Sequence, residues 1–100
     1  MPAAEARMQR EYAATMEVMR SADTDARANS PSVRHDSAGR LQVEQKAWRS
    51  YATAKCQFEA EWYGPAKGRQ AVQNRCTAEM FKQRVERLRA LRQEYDDERQ

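Results

Sequence analysis

The sequence predicts an all-α fold, a single small domain of three mostly antiparallel helices with one disulfide joining helices 2 and 3. Apolar residues recur every three or four positions in three long segments, and no alternating strand pattern occurs. Cys56 lies eight residues before Gly64 and Cys76 lies eight residues after Gly68. Both cysteines therefore stand about 12 Å from the turn between two helices. We expect their sulfurs to face each other within bonding reach.

Helix 1 is predicted over residues 3–20, where good helix formers carry a single apolar stripe. The stripe consists of Met8, Tyr12, Thr15, Met16 and Met19. Residues 21–37 are polar, small and weakly patterned, so we expect a long loop there. Either Ser30-Pro31 or Ser37 could begin the next helix. Gly39 would cost about 1 kcal/mol inside a helix, which favours the start at Ser37 with helix 2 over residues 38–63.

Helix 2 shows a seven-residue rhythm and should present a large aromatic inner face. Its members are Leu41, Gln45, Trp48, Tyr51, Ala52, Lys55, Phe58, Glu59 and Trp62. Gly64-Pro65 is a strong stop, because glycine accepts a left-handed cap and proline cannot continue the helix. Helix 3 is predicted over residues 69–97. Its inner stripe consists of Val72, Cys76, Met80, Phe81, Arg84, Val85, Leu88, Leu91, Arg92 and Tyr95.

The expected core is thin, because 17 of the apolar residues are alanine and only three are leucine. Its predicted members are Met8, Tyr12, Leu41, Trp48, Tyr51, Phe58, Met80 and Leu88. Arg84 faces inward in this register and needs a partner, which Gln45 or Glu44 could supply. A disulfide that closes a loop of about 20 residues would add roughly 3 kcal/mol to the stability of such a chain.

Charge and composition argue against several classes of function. The net charge is only +3, and acidic and basic residues alternate along most of the chain. A nucleic-acid binder should concentrate its basic residues on one face, so we expect no nucleic-acid partner. No stretch approaches the roughly 18 apolar residues of a membrane span. The only histidine, His35, lies in the predicted loop without a nucleophile motif, so we expect no enzyme activity.

The cysteines favour a structural disulfide over free thiols, a redox pair or metal ligands. A zinc site normally needs four ligands, and the chain supplies two cysteines and one histidine. A redox pair usually has Cys-x-x-Cys spacing. We therefore expect no metal and no cofactor. A structural disulfide implies an oxidising compartment, and we expect that an export signal has been removed.

Several motifs occur together in a specific order along the chain. They are Met8-Gln9-x-x-Tyr12, Gln45-x-x-Trp48-x-x-Tyr51, Cys56, Cys76, Arg84 and Leu88. In order, spacing and residue type they resemble the N-terminal domain of the LprI-like lysozyme-inhibitor family, over about residues 8–91. The chain departs from the family pattern in two ways. It lacks the second cysteine pair of many members, and Ala52-Thr53 replaces the common Arg-Asp after the tyrosine.

The resemblance implies a periplasmic, secreted or lipid-anchored protein whose partner is another protein. The expected function is non-enzymatic inhibition of lysozyme-type cell-wall hydrolases. An alternative is an immunity protein that neutralises a secreted antibacterial effector, such as a lipase or a peptidoglycan hydrolase. A further alternative is a structural envelope module without an enzyme target. The oligomeric state stays open.

The best candidate for the partner-binding site is the turn between helices 2 and 3. Trp62 and Tyr63 flank this turn, and large aromatic residues often dominate binding energy. Lys67 and Arg69 are the basic residues of the turn, and either could meet the acidic catalytic residues of a muramidase.

Overall fold

The computed structural model describes residues 3–32 and 34–99 and confirms the all-α prediction within them. Its three helices are α1 (Ala3–Asn29), α2 (Ser37–Tyr63) and α3 (Arg69–Arg99), and no strand occurs in the described residues. Successive helices run antiparallel and form a rod about 58 Å long and 22 Å wide. None of these helices has the length and apolar character that a membrane crossing requires.

Helix α1 is longer than the sequence predicts, and the long loop expected at residues 21–37 is wrong. The helix continues to Asn29, so the connection to α2 spans only residues 30–36. Buried Asp23 joins the extension to α2. Its carboxylate accepts hydrogen bonds from the backbone N–H groups of Ser37 at 2.8 Å and Ala38 at 3.0 Å. The inward-facing residue of this part of α1 is therefore polar, so the apolar pattern that predicts a helix is missing here.

Helix α2 starts one residue earlier than predicted, at Ser37, and its N-cap is Asp36 rather than Ser37. The Asp36 carboxylate accepts a hydrogen bond from the Gly39 N–H at 3.1 Å. A Cβ atom at position 39 would lie only 2.4 Å from that carboxylate, so glycine is needed for the cap. At the other end, Gly64 has a φ of 94° and its N–H donates to the carbonyl of Glu61 at 3.0 Å. The predicted stop at Gly64-Pro65 is thus present.

The core consists of three small clusters spaced along the rod. The first contains Met8, Phe81 and Val85; the second contains Met16, Leu41 and Leu88; the third contains Ala52, Cys56 and Met80. Tyr12 and Trp48 are partly buried and pack against these clusters. All three helices contribute to the first two clusters or to the residues packed on them, whereas the third is built by α2 and α3 alone.

Two residues assigned to the core from the sequence are on the surface instead. Tyr51 is 58% exposed and Phe58 is 64% exposed. The predicted seven-residue rhythm is the reason for the error. That rhythm groups Tyr51 with Ala52, but at about 100° per residue Tyr51 lies about 100° from Ala52. Phe58 lies about 160° from Cys56, so both rings fall outside the buried stripe. The positions of α2 that are buried are Leu41, Gln45, Ala52, Cys56 and Ala60.

Buried Arg84 joins α3 to α2. Its Nε donates to the side-chain oxygen of Gln45 at 2.7 Å, and its two terminal nitrogens donate to the carboxylate of Glu44. Its guanidinium also lies 5.3 Å from the centre of the Trp48 ring. Both partners considered from the sequence are therefore used together.

Two further arginines join the remaining pairs of helices. Arg49 of α2 pairs with Glu5 of α1. Arg92 of α3 donates to the Glu11 carboxylate at 2.6 Å and to the Thr15 hydroxyl at 2.9 Å in α1. The hydrogen bonds from Arg92 and then Arg89 hold the pKa of Glu11 below its usual value. Polar contacts between helices thus supplement the thin apolar core.

Candidate protein-binding site

One end of the rod contains two helices rather than three. Ala4, near the start of α1, packs against the cluster that contains Phe81. Past this level, α2 and α3 continue together to the turn at residues 64–68. We call residues 53–79 the hairpin tip; its α2 segment, residues 53–63, extends for about 15 Å. The tip therefore projects beyond the three-helix body.

The Cys56–Cys76 disulfide lies within this tip and confirms the predicted pairing. It joins α2 to α3 with a Cα separation of 5.4 Å. Cys56 is 1% exposed, and it packs with Ala52 and Met80 in the cluster formed by these two helices. The covalent bond thus holds the helices together in the part of the hairpin that α1 does not cover.

The turn at the end of the tip has a defined conformation. Gly64 and Gly68 both have positive φ angles, of 94° and 101°. The Nε of Arg69 donates to the carbonyl oxygen of Gly64 at 2.9 Å, and a terminal nitrogen donates to the same oxygen. The Tyr63 ring covers Gly68, since a Cβ atom there would lie 3.2 Å from the ring. Arg69 and Tyr63 therefore shape the turn, while Lys67 is exposed within it.

The tip carries an exposed aromatic pair. The rings of Phe58 and Trp62 stack with centroids 6.3 Å apart and an angle of 21° between their planes. Trp62 is 80% exposed and neighbouring Tyr63 is 52% exposed. The structure thus brings Trp62, Tyr63, Lys67 and Arg69 to one end of the molecule. It also adds Phe58, which sequence reasoning had placed in the core.

The charges of the tip are close to balanced. The tip contains four basic residues and three acidic residues. They are Lys55, Lys67, Arg69 and Arg75, and Glu59, Glu61 and Glu79. Lys55 pairs with Glu59 one helical turn away, and the hydrogen bond that its ammonium donates to this carboxylate raises the pKa of Lys55. The tip therefore presents apolar rings among charges of both signs rather than a strongly basic surface.

Two surface depressions lie at the opposite end of the rod. They have volumes of about 470 and 460 Å³, and Arg34 and Asp36 line both of them. His35, which the sequence placed in a loop, is half-buried and lines the second one. In the described part of the chain, no group of three or more His, Cys, Asp or Glu side chains could hold a metal ion.

The fold and the tip define a class of small, disulfide-bonded helical proteins that present a hairpin end to their surroundings. The family described as lysozyme inhibitor LprI matches residues 1–88, which is most of the chain. The protein therefore belongs to the lysozyme inhibitor LprI family, as its sequence motifs indicated. Neither a curated protein nor a solved structure matches the chain.

Proposed function

We propose that this protein inhibits a lysozyme-type cell-wall hydrolase and that the hairpin tip enters the cleft of the enzyme. Membership of the lysozyme inhibitor LprI family supports the activity. The observation that supports the site is the projection of the tip, with an exposed aromatic pair next to a turn of defined shape. A narrow two-helix end fits a concave site better than the side of a 58 Å rod does.

The stacked rings of Phe58 and Trp62 are the proposed anchor of the complex. Exposed tryptophan and tyrosine side chains contribute a large apolar area and dominate many interfaces. The stacking restricts both rings before binding, so less side-chain entropy is lost when the complex forms. Tyr63 lies against the turn and would border the contact.

Lys67 is the proposed polar contact with the enzyme. Glycoside hydrolases of this type cleave between two carboxyl groups within a cleft. An ammonium group at the end of the tip is complementary to those carboxylates, and its exposed position leaves it free to approach them. Arg69 acts differently in this proposal, because its hydrogen bonds to the Gly64 carbonyl position the turn that carries Lys67.

The proposed location is outside the cytoplasm, in the periplasm or beyond it. The Cys56–Cys76 bond supports this location, because structural disulfides persist in oxidising compartments and are rare in the cytosol. Cell-wall hydrolases act in the same space, so inhibitor and target would meet there.

Protection of a bacterial cell-wall suspension from lysis tests the proposal directly. Hydrolases of several types are titrated with the wild-type protein, Trp62→Ala, Lys67→Ala and the matched control Lys82→Ala, which removes an exposed lysine from α3. We expect Trp62→Ala to raise the half-inhibitory concentration by about 30-fold or more, as loss of an interface anchor does. Lys67→Ala should raise it by about tenfold, and Lys82→Ala should leave it unchanged.

Equal inhibition by all four proteins would show that the tip is not the binding site. No inhibition by the wild-type protein at large molar excess would refute the inhibitory activity itself and favour the immunity function. The net charge of +3 is the observation behind that second candidate, because it opposes approach to a strongly basic lysozyme. Neutralisation of a less basic secreted effector would then be the activity to measure.

A further inference from the structure

Helix α2 has a second apolar face that the core does not use. We call it the outer stripe, and it consists of Val43, Ala47, Tyr51, Ala54, Phe58 and Trp62. These residues follow one another at intervals of three or four, so they share one side of the helix over about 28 Å. All are exposed, and Val43 at 70% and Trp62 at 80% mark its two ends. The core residues of α2 lie on a different face.

The outer stripe is complementary to itself when a second copy runs in the opposite direction. Tyr51 lies three residues before Ala54 and Phe58 lies four after it. Ala47 and Trp62 lie farther out on the two sides, at seven and eight residues. A two-fold axis near Ala54 would therefore place each Tyr51 against Phe58 of the other copy and each Trp62 against the small side chain of Ala47. The small side chain at Ala54 permits close approach of the helices at the axis.

Charges beside the stripe have the same symmetry. Lys46 lies eight residues before Ala54 and Glu61 lies seven after it, on the same flank of the stripe. In an antiparallel helix pair, residues of the same flank face each other, so Lys46 of each copy would meet Glu61 of the other. Neither takes part in the ion pairs that connect the described residues. Lys55, near the axis on the other flank, is neutralised by Glu59 of its own copy.

The exposed area is close to what a weak dimer needs. Three aromatic residues that are 58%, 64% and 80% exposed, together with Val43, offer about 500 Å² of apolar surface in each copy. The pair would bury about 1,000 Å², which lies at the lower limit for a specific interface. An interface of this size is typical of weak, reversible association.

We propose that the outer stripe is the interface of an antiparallel two-fold dimer of this chain, centred on Ala54. Each copy meets the other through the same surface, which closes the assembly at two copies. The dimer covers Phe58 and Trp62, so a copy within it cannot use these rings on another protein. This last consequence rests on the proposed function, whereas the dimer itself does not.

Mass measurement by light scattering and analytical ultracentrifugation, over micromolar to millimolar concentrations, tests the dimer without any enzyme. The variants are Tyr51→Lys, which places a charge in the stripe outside the tip, and the control Ala14→Lys, which adds the same charge on exposed α1. We expect a monomer–dimer equilibrium for the wild-type protein and for Ala14→Lys. Tyr51→Lys should weaken the association at least tenfold. Helix content by circular dichroism should be the same in all three proteins.

Charge reversal tests the antiparallel register. Lys46→Glu and Glu61→Lys alone each bring like charges together and should weaken the dimer by about three- to tenfold, whereas the double variant should restore it. A wild-type protein that is monomeric throughout, or that forms larger open aggregates, would overturn the proposal. Failure of the double variant to restore association would overturn the register. Tyr51→Lys leaves the tip unchanged, so its effect on the dimer is measured separately from inhibition in the lysis assay. A failure of the dimer proposal and a failure of the proposed function can therefore be told apart.

Discussion

Breaking the Cys56–Cys76 disulfide should loosen the hairpin tip and leave the three-helix body folded. The bond links residues 20 positions apart. In the chain-entropy model, a loop of this length corresponds to a loss of about 3 kcal/mol in the free energy of unfolding. A chain of this size has a total of only about 5–15 kcal/mol. The loss should fall mainly on the tip, because its buried cluster is formed by α2 and α3 without α1.

Native-state hydrogen exchange measures where that loss occurs. The oxidised protein is compared with the same protein kept reduced, and with the double variant Cys56→Ala/Cys76→Ala, which needs no reductant. Amides of residues 53–79 should lose protection, whereas amides beside Thr15 and Leu88 in the body should keep most of theirs. The urea midpoint of the body should fall by less than the roughly 1–3 M that full coupling of about 3 kcal/mol to global unfolding would give.

Two results would refute this reasoning. Unchanged protection of the tip after reduction would mean that side-chain packing between α2 and α3 is sufficient there. Complete loss of protection throughout the chain would mean that the tip and the body unfold as one unit. Both outcomes are distinct from the expected pattern, in which protection is lost on one side of the Phe81 level and kept on the other.

Two further predictions concern buried polar groups. Burial favours the neutral acid of Asp23, but the hydrogen bonds from the Ala38 and Ser37 amides outweigh it and hold the pKa below its usual value. This carboxylate therefore contributes stability above about pH 4 that is lost as pH falls through its lowered pKa. Asp23→Asn should lower the free energy of unfolding by about 1–2 kcal/mol at pH 7. Thermal unfolding of this variant should also lose less stability than the wild-type protein as pH falls, and an unchanged pH dependence would contradict the prediction. Glu44→Ala should lower the free energy of unfolding in urea by about 1–3 kcal/mol. The variant leaves the Arg84 guanidinium, whose side chain is 3% exposed, without its carboxylate partner. The exposed-pair control Glu94→Ala should cost under about 0.5 kcal/mol, and equal costs would contradict the argument.

The features that the sequence predicted well have local signals. Gly64-Pro65 marks the end of α2, since few other dipeptides are as incompatible with a continuing helix. The start of α3 at Arg69 follows from the glycine that precedes it. The disulfide follows from these two positions, because equal distances from a tight turn put two helical residues at the same level.

The end of α1 could not be predicted in the same way. Residues 21–29 are small or polar, so no strongly apolar stripe indicates that they are helical. Buried Asp23 lies within them, and its two oxygens accept hydrogen bonds from the first N–H groups of α2. That contact joins residues 14 and 15 positions apart, so it is invisible to any pattern within one helix.

The orientation of α2 could have been predicted, and the signal was Cys56. A residue bonded to α3 must face α3, and Phe58 lies about 200° farther around the helix. Phe58 and Cys56 therefore cannot share a face. The seven-residue rhythm of the aromatic residues was real, but it describes the outer stripe instead of the core.

The position of these aromatic residues links the two proposals of protein binding. Burying a side chain such as Phe58 stabilises a fold by about 1.5–3 kcal/mol, and this thin-cored chain leaves several such side chains in solvent. An exposed apolar row of this length is a feature of binding surfaces rather than of inert ones. The row ends at Trp62 in the projecting tip, so the end that would enter an enzyme is continuous with the face that would meet a second copy. Because both contacts need Phe58 and Trp62, one copy can satisfy only one of them at a time. The concentration of the protein then decides how much of it is free to act on another partner.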